Sequence, residues 1–163
     1  MSATFYKYGD WARAGTFLAD LAPRSKKLSE EALRLQADKF KDKLEAHIDN
    51  QDIRWIPLTK DTVRQKKESN VAQMAWYETG TLRNNVEIRK IKSPEADVVI
   101  FVGFSPWRKH EYAGISMSHL ANIIEYGWGA IPPRPLIRPT FDEVESEMYA
   151  DVVKLGNDIV NGG

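Results

Sequence analysis

Six residues between positions 127 and 139 constrain this chain more than any other stretch: Gly127, Gly129, Pro132, Pro133, Pro135 and Pro139. A proline lacks a backbone donor and its ring clashes with the preceding helical turn, so no helix interior crosses the run. The chain must pass it as a structured turn and start its last element afresh near Pro139 or Thr140. From there Phe141, Val144, Met148, Val152, Leu155 and Ile159 recur at intervals of three and four. That spacing predicts an amphipathic helix running towards Ile159, with Asp142 and Glu143 at its favourable acidic start.

A matching helix is expected earlier, over Ser25 to Ile48. Leu33, Ala37, Phe40, Leu44 and Ile48 form one apolar stripe, and Lys39, Lys41, Asp42, Lys43 and Glu45 fill the remaining faces. Its start falls at Ser25 or Ser29, where a serine oxygen can accept an orphan amide. Between the two helices lie two strands. Asn85 to Lys92 alternates, with Val86 and Ile88 on one face and Glu87 and Arg89 on the other, and Asp97 to Phe104 is a nearly continuous apolar run ended by Gly103. Lys92 to Ala96 reads as the connection of an antiparallel hairpin. Ser118 to Tyr126 predicts two helical turns with Leu120, Ile123 and Ile124 inward, and Thr59 to Lys67 a short helix with a basic face. Ser69 to Gly80 has no period and reads as a long, partly ordered excursion. The expected fold is α+β, a small antiparallel sheet with two long amphipathic helices packed on one face.

At 163 residues the chain is one domain long, and roughly 70% of its unfolded surface can be buried. Residues 1–24 read as an aromatic-rich arm and residues 25–163 as a single α+β domain. Phe5, Tyr8, Trp11 and Phe17 are the arm's contact candidates. An arm this short makes no core of its own, so it docks on its own domain or on a neighbouring subunit. Charge is unevenly placed: residues 24–92 hold 16 basic against 11 acidic residues, a net of +5, and residues 93–163 hold 5 against 10, a net of −5. The two halves face each other within the fold or across a subunit boundary, or simply solvate the surface.

The absence of cysteine removes disulfides, thiolate nucleophiles and sulfur-ligated metals, and suits a reducing cytosol. No apolar run approaches the roughly 20 residues that span a bilayer, and residues 1–10 lack the pattern of a secretion signal, so neither membrane nor export is expected. His47, His110 and His119 show no metal-ligand spacing, and His119 with Glu111 or Glu125 makes no recognisable acid/base frame. Asp142, Glu143, Glu145 and Glu147 flank an apolar stripe on its exposed sides. Gly127, Trp128 and Gly129 lack the lysine and further glycines of a phosphate loop. No catalytic residue, cofactor or metal is expected. Lys60, Arg64, Lys66 and Lys67 form a basic segment that serves as a solvated face, a salt-bridging subunit surface or, less specifically, a nucleic-acid contact. The most informative segment is the turn itself. Glu125, Tyr126, Gly127, Trp128, Arg134, Pro135 and Arg138 combine restricted backbone, a large rigid aromatic surface and forked donors, which suits either a fixed protein contact or internal bracing of the last helix.

Several of these segments together resemble a known family. Trp55 to Thr59 with Thr62 and Lys66, then Glu78 to Leu82, then Ile124 to Gly127 followed by Ile131 to Thr140, are similar in order and spacing to the tail-completion, or neck, proteins of tailed bacteriophages and to related minor virion morphogenesis proteins. The resemblance spans Phe40 to Val160. The chain departs from the family pattern at Leu136, where Phe is common, and at Trp128, where a small residue or Thr is common. The resemblance implies a structural, non-enzymatic subunit at the head-tail junction of the virion, assembled in the host cytoplasm. It further implies a homo-oligomeric ring, hexameric or of 12 copies, whose partners are adjacent connector and tail-terminator or tail-tube proteins, with DNA passing through the lumen unread. The alternative expectation is a nucleic-acid or host-protein binding module using Lys60 to Lys67.

Overall fold

The computed structural model describes residues 11–94, 98–111 and 113–161. Helix α1 spans Trp11–Asn50 and α2 spans Lys60–Glu68; a short 3-10 turn at Arg83–Asn85 leads into strand β1, Val86–Ile91. Strand β2, Val99–Phe104, is followed by α3, Met117–Tyr126, and α4, Ile137–Asn161. The fold is α+β, with long helices and one small sheet, as the patterning predicts.

The apolar stripe of α1 is buried: Ala37, Phe40, Leu44 and Ile48 form its inner face and join Val86, Phe104, Met117, Ala121 and Leu136 in the core. The helix is already formed at Trp11, the first described residue and earlier than expected, and continues to Asn50 with Pro23 inside it. Ala12, Ala14, Leu18, Ala19, Leu21 and Ala22 are strong helix formers, and their summed propensity carries the helix through a single proline. The expected boundary at Ser25 or Ser29 therefore marks where the core stripe begins, not where the helix does. Phe5 and Tyr8 lie outside the described residues, as do the side chains of Trp11 and Phe17.

β1 and β2 pair antiparallel in the register Val86↔Phe104 through Ile91↔Val99. Arg89 and Phe101 are direct cross-strand partners, and the guanidinium sits 5.0 Å from the ring centroid, a cation–π pair on the outer face. The hairpin lies on α1, tied there by ion pairs from Lys90 to Glu30 and from Arg83 to Glu45 and Asp49.

α4 runs antiparallel to α1, as its ion pairs record: Lys39 meets Glu147 at 2.7 Å and Asp151 at 3.0 Å, and Lys43 meets Glu143 at 2.6 Å. His47 lies between Asp52 at 2.6 Å and Glu143 at 2.9 Å. Much of the charge asymmetry seen in the sequence is thus satisfied within one chain. The apolar residues of α4 divide, because α1 covers only one side of it. Val144, Met148 and Leu155 are half-buried, whereas Phe141 and Val152 lie at the edge of the expected inner stripe, 44% and 50% exposed, Phe141 with its ring edge-on to Phe40 at 6.4 Å and Val152 lining a cleft with Leu33 and Gln36; Tyr149 and Val153 are exposed beside them. Among the described residues no helix is long and apolar enough to cross a membrane.

Candidate functional site

The glycine and proline run folds into a brace that organises everything around it. α3 delivers Glu125 to the start of α4. Met117, Ala121 and Glu125 recur every four residues on its buried face, so a carboxylate stands where the pattern otherwise places small or apolar side chains. Glu125 is 4% exposed. Its Oε2 accepts the backbone N–H of Leu136 at 2.7 Å and of Ile137 at 3.0 Å, and its Oε1 accepts that of Arg138 at 3.2 Å. These are the orphan donors at the N-terminus of α4, and a carboxylate is the favoured partner for them. Pro139, in the first turn, has no donor to satisfy, and Thr140 Oγ1 donates to the Leu136 carbonyl at 2.7 Å.

Between the two helices the chain reverses. Gly127 has φ +79°, and a Cβ there would lie 2.8 Å from the Ile131 carbonyl oxygen and 3.0 Å from Pro133 N, so only glycine fits. Trp128 and Ile131 exchange backbone hydrogen bonds at 3.0 and 2.9 Å, and Arg134 N–H donates to the Ile124 carbonyl at 2.7 Å. The turn is closed on itself by main-chain bonds.

Three side chains then fix it to distant segments, one from the turn itself and two from elsewhere in the chain. Arg134, 6% exposed, donates from Nε to the Ile56 carbonyl at 2.9 Å and from Nη2 to the Pro57 carbonyl at 3.2 Å. Burial pulls its pKa below the ordinary arginine value. In return the Trp76 indole donates to the Arg134 carbonyl at 2.8 Å and the Trp55 indole to the Pro135 carbonyl at 2.6 Å. Proline-rich backbone offers acceptors without matching donors, and the two indoles, donors without acceptors, are their complement. Trp76 also stacks on Phe104, with centroids 5.8 Å apart and planes at 22°. The Ser69 to Gly80 segment, expected as a partly ordered excursion, is therefore a core element. Trp76 anchors it by its ring while Gln51 and Lys66 hold its backbone from other segments, and bonds of that kind leave no side-chain period to read.

With Glu125 and Arg134 turned inward, Tyr126 and Trp128 are left outside, 76% and 69% exposed. Pro135 and Arg138 are also exposed. Glu125 and Arg134 thus brace the last helix, and Tyr126 and Trp128 form an exposed aromatic surface beside them.

The basic segment divides similarly. Lys66 is not on an exposed basic face: it is half-buried and its Nζ donates to the carbonyls of Ala72, Met74 and Tyr77 at 3.2, 3.1 and 3.4 Å, with its pKa lowered by burial. Arg64 pairs with Asp61 at 3.2 Å and Glu68 at 3.9 Å along α2. Lys60 and Lys67 are exposed. A cavity of about 250 Å³ lies beside the brace, lined by Leu58, Lys66, Trp76, Leu82, His110 and Ile131 among others. His110 is buried and its Nδ1 accepts the Ala113 N–H at 3.3 Å. His119 is exposed on α3. Among the described residues no group of three or more His, Asp or Glu is placed to hold a metal ion.

Comparison with known protein families, with curated proteins and with solved structures finds no match to this chain. Trp55 and Trp76 are the residues that sequence reasoning passed over as site members. The available signal was chemical: a tryptophan in a polar stretch carries an N–H that must find an acceptor once its ring is buried.

Proposed function

We propose that this chain is a structural subunit of the head-to-tail connector of a tailed bacteriophage, assembling as a ring that joins the capsid portal complex to the tail. The observation that carries the reading is the convergence of the segments behind the family resemblance. Trp55 to Pro57 lies far upstream of the neighbouring Ile124 to Gly127 turn and Ile131 to Thr140 run, and it meets them in one brace built from Glu125, Arg134 and Trp55. Their polar groups are spent on holding backbone, and the aromatic faces of Tyr126 and Trp128 are held outward by that rigid support. A large, preorganised aromatic surface loses little freedom on docking, which suits a permanent subunit contact. In this reading the chain performs no chemistry and needs no cofactor, and DNA passes the ring without being read. Repeated use of one contact between two unlike surfaces closes a ring when its rotation permits.

The test is incorporation. Purified protein is added to DNA-filled heads, lacking it, of the phage that encodes it, and the particles are imaged by electron microscopy. A ring of added density at the portal vertex and recovery of tail joining are expected. Heads that neither bind the protein nor gain tails in its presence would sink the reading.

A further inference from the structure

Two sheltered cations meet at the cavity beside the brace without a carboxylate between them. Arg134, buried, and Lys66, half-buried, both line it. Lys66 Nζ donates to the carbonyls of Ala72, Met74 and Tyr77, and Arg134 to those of Ile56 and Pro57. Among the described residues no carboxylate forms an ion pair with either, and Arg134 Nη1 has no acceptor. Burial lowers the pKa of Arg134 and is the chief cause lowering that of Lys66; Glu78, exposed, raises the Lys66 value from a distance, and Arg134 lowers it further. Charges taken out of water are ordinarily paired, so two of one sign, held by neutral carbonyls, leave a place for an anion.

The rest of the wall is mostly apolar and is held in place. Leu58, Met74, Leu120 and Ile124 line the cavity. The 72–77 segment cannot fall inward to fill it: Gln51 holds both the N–H and the carbonyl of Ala75 at 2.9 Å, and Lys66 draws in three further carbonyls. Trp76 is kept at φ +59°, a left-handed conformation that bulky residues avoid. Such strain persists only where the surroundings over-determine it, and it gathers at ligand clamps. A preformed space of about 250 Å³ suits a ligand the size of one side chain with its carboxylate, since benzene occupies a cavity of about 150 Å³. Ile131 stands at the rim, 45% exposed, and exchanges backbone hydrogen bonds with Trp128. The cavity therefore adjoins the exposed aromatic surface.

We propose that this cavity receives the carboxyl-terminal residue of a partner chain, an apolar one such as leucine, with its carboxylate set against Arg134 and Lys66 and its side chain among Leu58, Leu120 and Ile124. One residue supplies both features only at a chain end. An internal Asp or Glu carries its carboxylate on too little hydrocarbon to cover the apolar wall, and an internal leucine carries none. The residues before the terminus leave past Ile131 and lie over Tyr126 and Trp128. Capture of a terminal carboxylate is a recurrent mode of peptide recognition. The proposal deepens the connector reading, and rests on it only for which protein supplies the end, a neighbouring connector or tail subunit, not for the chemistry of the site.

Protein-observed NMR tests it with N-acetyl-leucine, a mimic of such an end, and N-acetyl-leucinamide, its neutral counterpart. The acid is expected to bind with a Kd of about 1 mM and to shift the resonances of Trp76, Leu120 and Ile124. The amide is expected to bind at least about tenfold more weakly, since it lacks the charge-assisted contact. E78Q, at an exposed position, removes the competing carboxylate and is expected to tighten the acid about threefold and leave the amide unchanged. L120W, its fold checked by circular dichroism, fills the space and is expected to abolish binding of the acid; if it does not fold, the acid–amide comparison and E78Q decide. A short peptide ending in leucine is expected to bind more tightly than the free acid, and W128A to remove that gain alone. Acid and amide bound alike, or no response to the acid up to about 20 mM, would overturn the site, as would an acid affinity unmoved by E78Q or undiminished in folded L120W. A peptide that binds no better than the acid overturns the partner chain as occupant. Heads that gain tails while acid and amide bind alike leave the connector reading standing and remove this site; selective binding of the acid by a protein that the heads refuse does the reverse.

Discussion

Glu125, at the end of one helix, accepts the backbone amide of Leu136, at the threshold of the next, at 2.7 Å. The same carboxylate takes the amides of Ile137 and Arg138, so one side chain caps a helix to which it does not belong. Replacing it with alanine strands three donors in a buried site. The loss is expected to be about 2–3 kcal/mol, as for a charge-assisted cap, or a fall of roughly 4–12 °C in melting temperature at this chain length. Thermal unfolding of E125A and E125Q measures it; an unchanged midpoint in E125A would show that α4 starts without this cap.

Trp76 permits its two roles to be separated. W76F keeps an aromatic ring against Phe104 but loses the donor to the Arg134 carbonyl and the volume of the second ring, a change of about 1–3 kcal/mol. W76A loses the ring as well and is expected to fall by about 3–5 kcal/mol. Urea unfolding of both variants is the measurement, and equal losses would mean that the indole N–H and the second ring carry the anchor.

The α1–α4 ion pairs make stability depend on pH in a definite direction. The Asp52 carboxyl is held below its ordinary value by hydrogen bonding to His47, Glu143 chiefly by Lys43, and Asp151 chiefly by Lys39. A carboxyl whose folded pKa is depressed contributes fully above its unfolded pKa, about 4, and loses that contribution as pH falls through the lower folded value. Lys39 and Lys43 are raised, chiefly by hydrogen bonds to Glu147 and Glu143, so their share is present below the ordinary lysine range and lost only as pH rises above it. Stability is therefore expected to be flat with respect to the lysine–carboxylate pairs around neutrality and to fall in acid. All of them reach solvent, so the effect is modest and shrinks in high salt. A urea midpoint for E143Q that follows the wild-type acid limb unchanged would remove Glu143 from this account.

Trp128 separates structure from assembly. Being exposed, W128A is expected to shift stability by less than about 0.5 kcal/mol, while its capture by heads in the incorporation assay falls at least about tenfold if the ring is an interface anchor. Loss of stability with normal capture would assign the ring to the brace.

The sequence revealed what is periodic and hid what is paired at a distance. Ala37, Phe40, Leu44 and Ile48 announce the inner face of α1, and Val86 with Phe104 the paired strands, because burial on one side imposes a regular spacing. Glu125 and Arg134 could be singled out, but their partners are backbone groups in other segments, which no side-chain pattern specifies. Trp76 belongs to a stretch whose only periodic feature is absence of period. Phe141 and Val152 kept the spacing of a buried stripe although α1 covers only one flank of α4; spacing identifies a helix better than it identifies which apolar residues a partner covers.

The brace also sets an order of events in synthesis. Trp55 waits for an acceptor 80 positions downstream and Trp76 for one 58 positions downstream, and contacts of such separation form late because the intervening loop must close first. A chain stalled before Pro135 holds at least one indole unpaired, and protease digestion of such a stalled chain should cut readily between Ile53 and Gly80, where the full chain resists. The ribosome must deliver the proline run before the middle of this protein can settle, so its final third acts as the keystone of everything translated ahead of it.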